Sequence, residues 1–398
     1  MKFFLCTFFT ACVSCCIVSA EAPSPQKLAS WLKRFPDADA NKDGILSVAE
    51  ADAYRKKLQA KKTKNPRSGG APREFSVHPG WDDARFPEHA VAYKTPEEIE
   101  KIYAKVAKGR PVISFEKPGN GALRIVGTGH SFMAPGYRTL PDICRTAGFE
   151  QPLYTHTGGG ITGSTRYKWE QENGIFEFDG KPVPKLLASI ANAEWDAMMW
   201  GPYFNDRPEY YSCWIDFCLK YQPGMKFYLS DAWPQLFQLG ETPKSEDIFT
   251  AELLDQMGAE KRNVYIKVVS ELREKYPGKV YIMPTCDAMV IAAKHFLKNG
   301  LPGVEGIHRA VGEAEERALW RDTLGHLGPG FEWLEGYVFY ATLYGKSPEL
   351  IEGDIQKRGD SGFPGRELDR IFRKIAWQAV SGHELSGVVD DNGDCMAD

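Results

Sequence analysis

The 398-residue sequence lacks the marks of several large functional classes. Lys and Arg (49) do not outnumber Asp and Glu (53), and a net charge of -4 leaves no basic footprint for a nucleic-acid partner. There is no P-loop, hence no Walker-type phosphate cradle, and no Cys-x-Pro-x-Arg sulfatase signature. No Cys/His spacing resembles a zinc site. No internal repeat is present, and no apolar run is long enough to predict a membrane span. Cysteine is scarce beyond residue 20. Cys144, Cys213, Cys218, Cys286 and Cys395 remain, an odd set that leaves at least one thiol unpaired in a monomer. Cys213 and Cys218 form the candidate bridge.

What is present begins at the N-terminus. Lys2, the apolar stretch Phe3 to Val18 and the small residues Val18-Ser19-Ala20 predict a signal peptide over 1–20. The chain is therefore expected to be secreted or periplasmic. Phe9-Thr10-Ala11-Cys12 offers the rival reading, a lipoprotein anchor.

Residues 21–60 hold a sharp motif. Asp39, Asn41, Asp43, Gly44 and Glu50 match the D-x-[DN]-x-[DN]-G-x5-E pattern of an EF-hand loop. Calcium prefers such oxygen donors: the side chains of Asp39, Asn41, Asp43, Ser47 and Glu50, and the Ile45 carbonyl. Helical stretches are expected on either side, Leu28 to Phe35 and Val48 to Leu58. A single loop suits a structural or docking role for Ca2+ better than signalling. Residues 61–118 read as a linker followed by a packing helix. Arg55 to Arg73 has no apolar period, and Thr95-Pro96-Glu97-Glu98 is a helix start with a capping box.

From about residue 119 short apolar segments alternate with helical ones. Strands are expected at 123–128, 152–157, 195–200, 226–231 and 279–284. Helices are expected at 139–147, 183–192, 207–221, 249–275, 288–299, 309–320, 332–344 and 366–380. Such alternation predicts a parallel sheet covered on both faces. Within it, Arg124 to Met133 runs strand, Gly127-Thr-Gly129 turn, Ser131, helix. That places Ser131 at the carboxyl end of a strand, where ligands bind in open α/β sheets. A serine becomes a nucleophile when a base takes its proton. Of eight histidines, His130 is adjacent and points elsewhere in an extended turn, so it reads as a support of the turn. His326 lies in Asp322-Thr-Leu-Gly-His-Leu, with an acid in the same loop to fix its tautomer. Asp287 is a more distant candidate acid. Trp200, Tyr203 and Trp233 fall at or past strand ends, either as core or as a sugar-stacking platform.

This pairing of an early Gly-x-Ser turn with a late Asp/His loop resembles the SGNH (GDSL-type) hydrolases over roughly residues 120–350. The resemblance implies a three-layer α/β/α, flavodoxin-like fold for 119–398, and ester hydrolysis through an acyl-enzyme. It implies Ser131 as nucleophile, His326 as base and Asp322 as orienting acid. Ser131, Gly160 (or Gly159) and Asn205 would form the oxyanion hole. Three positions depart from the family pattern. His130 stands where Asp is usual, Asn205 sits in a stretched Gly-Pro-Tyr-Phe-Asn-Asp, and Asp322 precedes His326 by four residues instead of three. The expected substrate is an ester-substituted small molecule or polysaccharide, with O-acetyl groups foremost and no cofactor needed for the chemistry. The alternative is a non-catalytic carbohydrate-binding or docking protein on the same scaffold.

Overall fold

The computed structural model describes residues 121–157, 193–203, 206–312, 316–355 and 362–398, parts of 28–57, and short stretches between 167 and 190. The segment 1–20 expected to be a signal peptide, the linker expected after residue 57 and the helix expected at Thr95 lie outside the described residues. Two compact units are distinguished, within 1–72 and within 73–398.

In the first unit, helical residues flank the 39–50 loop on both sides. Leu28, Ala38 and Leu46 are buried together, with Trp31, Leu32, Ala51 and Tyr54 packed against them.

The second unit is built on five strands. These are β1 (Ile125–Gly129), β2 (Leu153–Thr157), β5 (Ala197–Trp200), β6 (Lys226–Ser230) and β7 (Val280–Met283). A separate antiparallel pair, β3 (Phe176–Phe178) and β4 (Lys181–Val183), lies between them in sequence. The sheet order is β2-β1-β5-β6-β7 and every pairing is parallel. Ile125 stands opposite Leu153 on one side and Ala197 on the other. This is the doubly wound, flavodoxin-like order, whose switch point lies beside the first strand. The observed strands match the five expected from sequence.

Strand period decides the two layers. Ile125, Ala197, Met199, Tyr228 and Met283 point into one buried cluster, and their neighbours Val126, Met198, Trp200, Phe227, Leu229 and Ile282 into the other. Against the first lie α1 (Ala134–Thr146), α4 (Thr285–Phe296), α5 (Phe331–Tyr344) and α6 (Arg366–Ser381). Against the second lie α2 (Glu209–Tyr221) and the apolar stripe Tyr265, Val268, Val269 and Leu272 of α3 (Ala251–Lys275). The result is a three-layer α/β/α unit. Among the described residues no helix is long and apolar enough to cross a membrane.

Helix α5 is apolar all round because it is buried between α1 and α6. Its approach to α1 is close. A methyl group on Gly336 would lie 2.1 Å from Thr139 Oγ1, and one on Gly136 would lie 2.5 Å from Glu335 Cγ. Thr139 is held in place, since its hydroxyl lies 3.0 Å from both the Gly136 and Glu332 carbonyls, which share its one hydrogen.

Two expectations are corrected. The helix expected at 309–320 is not found among the described residues of that range, which form turns, bends and a strand. Ala318–Trp320 is a strand, β9, paired in parallel with β8 (Gly306–His308). The segment carries helix-favouring Ala, Glu and Arg, but burial of Ala318, Leu319 and Trp320 against the core outweighs propensity. Cys213 and Cys218 do not bridge. Both are free, buried thiols on α2, and five residues of helix rotate them onto different faces.

The glycine contact generates a direct test. Gly336→Ala should lower unfolding free energy by about 1–3 kcal/mol, the usual cost of overpacking. Gly224→Ala, where an added methyl meets nothing within 4 Å, should be near neutral in the same urea denaturation.

Candidate active site

Two glycines shape the turn after β1, and neither is needed for a positive φ. A methyl on Gly127 would press on the Tyr137 ring, 3.0 Å from its hydroxyl. A methyl on Gly129 would meet the Gly201 backbone nitrogen at 3.0 Å, so the turns after β1 and β5 touch backbone to backbone. The Gly201 N–H also donates to the Thr128 carbonyl at 3.1 Å. The chain then folds around Ser131. Met133 and Ala134 both donate their N–H to the His130 carbonyl, at 3.0 and 2.9 Å, and α1 begins at Ala134. Ser131 is left exposed at the carboxyl end of the sheet.

The second element is the 320–327 loop. It is closed at its base by a bridge between Trp320 and Leu327 and by Arg321 N–H donating to the His326 carbonyl at 2.8 Å. Inside it, Gly325 adopts φ 81° and its N–H donates to the Asp322 carbonyl at 2.7 Å. That left-handed residue is one glycine adopts without the penalty other side chains meet. The Asp322 carboxylate accepts the backbone N–H of Leu324 (3.1 Å) and of His326 (3.2 Å). The same carboxylate meets His326 Nδ1 at 2.8 and 3.0 Å. A four-residue spacing thus suffices, because the acid hooks the backbone that returns the histidine to it.

His326 Nε2 lies 2.7 Å from Ser131 Oγ. Burial raises the Asp322 carboxyl, but the side-chain and backbone hydrogen bonds from His326 together hold it below the usual carboxylate range. An ionised Asp322 places the ring proton on Nδ1, so Nε2 presents its lone pair to the Ser131 hydroxyl. Ser131 Oγ, the His326 ring and the Asp322 carboxylate therefore form one continuous hydrogen-bonded row.

The neighbouring residues hold these three. Phe132 lies between Trp233, stacked at 4.8 Å, and the His326 ring at 5.1 Å. Trp233 is fully buried and its Nε1–H donates to the Gly325 carbonyl at 2.6 Å. Gln235 donates its amide to the Leu324 carbonyl at 2.9 Å. Neither Phe132 nor Gln235 was legible as a site residue in the sequence, since nothing local pairs them with partners 89 or more positions away. His130 engages the Pro202 carbonyl through Nε2, and burial holds its pKa below the ordinary value. It ties the serine turn to the turn after β5.

The remaining candidates fall elsewhere. Gly159, Gly160 and Asn205 lie outside the described residues. Trp200 and Trp233 are core residues, buried to 1% and 0% exposure, and do not form a sugar platform; Tyr203 is half-buried beside His130. Asp287 is engaged by Arg262 at 2.9 Å.

In the first unit the 39–50 loop folds on its own acids. Asp39 accepts the N–H of Lys42 (2.8 Å) and Gly44 (2.9 Å), and Glu50 accepts those of Ala40, Asn41 and Ser47. The Ser47 hydroxyl and N–H hold the Glu50 carboxyl below its usual range. Among the described residues no three His, Cys, Asp or Glu side chains converge closely enough to hold a metal by themselves. The loop carries three acids, Asp39, Asp43 and Glu50, with Asn41 and Ser47 between them in sequence.

No family model matches the chain, and no curated protein matches it. Among solved structures, a DUF4886 family protein from Bacteroides uniformis is similar at 12% identity and a TM-score of 0.43, covering 64% of this chain and 93% of its own. A lipopolysaccharide acetyltransferase periplasmic domain from Salmonella ser. Paratyphi A is similar at 13% identity and a TM-score of 0.30, covering 62% of this chain and 97% of its own. The fold assignment above rests on strand order and not on these likenesses.

Two buried carboxyls border the strand ends. Asp206 accepts from Tyr203 N–H (2.7 Å) and the Tyr211 hydroxyl (2.6 Å), and burial pushes it up to about 7. Asp231 accepts from the Thr285 hydroxyl and Cys286 N–H at the start of α4, and burial, then the Asp287 charge, push it up to about 8. Between the ordinary carboxylate value of about 4 and these raised values, the folded state binds more protons than the unfolded one. Each group therefore costs stability as pH rises across that window. Asp231→Asn keeps an acceptor for α4 but cannot ionise. Its stability relative to wild type, from urea unfolding, should improve between pH 5 and pH 8.

Proposed function

We propose that this protein is a serine ester hydrolase that acts through an acyl-enzyme. The observation that carries the reading is the unbroken chain from Ser131 Oγ to His326 Nε2 and from His326 Nδ1 to Asp322. In this reading His326 takes the Ser131 hydroxyl proton as Oγ attacks the ester carbonyl carbon. Asp322 stabilises the imidazolium that forms. His326 then gives that proton to the departing alcohol oxygen, leaving the acyl group on Ser131. A water, deprotonated by the same Nε2, attacks the acyl carbon; the bond to Oγ breaks, His326 returns the proton to Oγ, and the acid leaves. The Ser131 N–H, a Gly160 N–H and the Asn205 amide would donate to the developing oxyanion, each worth about two to three decades in rate.

The substrate class proposed is carbohydrate bearing O-acetyl or similar esters, met outside the cytoplasm. Ser131 is exposed, which suits a bulky substrate such as a polymer. The resemblance to SGNH hydrolases and the predicted signal peptide support the same choice. The reading needs no cofactor for the chemistry.

We also propose Ca2+ at the 39–50 loop. The side chains of Asp39, Asn41, Asp43, Ser47 and Glu50 and the Ile45 carbonyl are hard oxygen donors in EF-hand order, and Gly44 adopts the left-handed turn (φ 81°) such a loop needs. Bound calcium would cross-link the two ends of the loop and play no part in ester cleavage.

Two experiments follow. Ser131→Ala should abolish aryl-acetate turnover and labelling by a fluorophosphonate serine probe; unchanged turnover would remove Ser131 from the mechanism. Titration of the full chain with Ca2+, followed by calorimetry, should show one site that is lost in Asp39→Ala/Glu50→Gln while aryl-acetate turnover is kept. Absence of binding heat in the wild type would sink the calcium assignment.

A further inference from the structure

The turn that carries Asp322 and His326 is held from outside at two successive carbonyls. Trp233 Nε1–H donates to Gly325 at 2.6 Å, and Gln235 Nε2–H donates to Leu324 at 2.9 Å. Both donors come from the short segment that leaves β6. Together with Gly325 N–H on Asp322 and Arg321 N–H on His326, they engage four of the five carbonyls between Asp322 and His326. The base can move relative to Ser131 only if these bonds break or the loop tilts as a body.

Gln235 is itself aimed by a third residue. Lys261 Nζ, on α3, donates to Gln235 Oε1 at 2.8 Å. An ammonium has donors and no acceptor, so it must face the amide oxygen. That choice leaves the amide NH2 toward Leu324 and excludes the flipped amide, which would set two carbonyl oxygens against each other. Lys261 also lies over the Phe237 ring at 4.3 Å, which fixes its own position. The backbone N–H of Gln235 is taken by Gln238 Oε1 at 2.9 Å, so the residue is anchored at both ends.

We propose that Gln235, oriented by Lys261 and acting with Trp233, is a positioning residue that keeps the Asp322–His326 turn in register with Ser131. The inference rests on the hydrolase reading for its kinetic consequence, but its geometric content is independent of it. Gln235 touches no reacting atom. It acts through the Leu324 carbonyl on the peptide unit whose next N–H neighbours complete the Asp322 hook. Misplacing a base by about 1 Å costs on the order of a hundredfold in rate.

The test uses the full chain in four forms: wild type, Gln235→Ala, Gln235→Glu and Trp233→Phe. Gln235→Glu keeps the size of the side chain and its bond to Lys261, but turns a carboxylate oxygen toward the Leu324 carbonyl. Trp233→Phe keeps an aromatic ring against Phe132 and loses the donor together with part of the buried indole. Aryl-acetate kinetics should show kcat reduced by about ten- to a hundredfold in both Gln235 variants, with KM little changed. The far-downfield proton resonance of His326 Nδ1–H, followed in histidine-labelled protein, should broaden or shift in all three variants. A Gln235→Glu variant that keeps both wild-type kcat and the resonance would overturn the proposal. A variant with reduced thermal stability but an unmoved resonance would do the same, leaving Gln235 a packing residue. If wild type hydrolyses no ester yet the resonance still depends on Gln235, the positioning role stands and the hydrolase reading falls. Should Trp233→Phe not fold, the half-buried Gln235 carries the test alone.

Discussion

The contact on which the site depends is the one between α1 and α5. Helix α1 starts three residues after Ser131, and α5 starts five residues after His326. Gly136 and Gly336 let the two backbones meet more closely than any side chain permits. The wholly buried Glu335 closes the interface by accepting the Gly136 N–H at 2.7 Å, and burial keeps its carboxyl well above the usual range. A neutral acid there accepts from a helix N-terminus without placing a bare charge in the core. Serine and histidine are brought together because the helices that follow them are locked in one register.

Each member of the site is fixed by a different part of the fold. The serine belongs to the exit of β1, which presses on the exit of β5 through Gly129 and Gly201. The histidine and its acid belong to a loop hung on the small β8–β9 pair, outside the main sheet. The exit of β6 spans the gap between them with Trp233 and Gln235. Function in this fold lies at the carboxyl ends of the strands, and here three such ends share the work. The side-chain geometry is what carries the functional reading, since fold alone does not decide activity.

Much of this was legible in the sequence, for physical reasons. The five strands are short apolar runs between helical periods, and burial on both faces enforces that pattern. Ser131 could be found because glycines flank it, and the structure shows why they are there: Tyr137 and Gly201 occupy the space side chains would need. Asp322 and His326 are near neighbours in sequence, so their pairing was open to local reasoning. Other features depend on distant partners. The strand character of Ala318–Trp320 follows from pairing with β8 and burial in the core, which local propensity opposes. The burial of Trp200 and Trp233 turns on which face of the sheet each meets. Lys261 and Gln235 are twenty-six residues apart and meet only because α3 returns along the sheet.

The spacing of the three central residues has a consequence for how activity arises during folding. Asp322 and His326 are four residues apart, and the hydrogen bonds that join them form within one small loop. Ser131 is 195 residues from His326. Closing a contact of that span requires the sheet and both helices to be in place, whereas the short loop can close early and at small entropic cost. The Asp322–His326 pair can thus form within its own loop without the Ser131 contact. Under the proposed hydrolase reading, the nucleophile joins its base through the contact of longest span, which loop-closure entropy makes the costliest of the three to form.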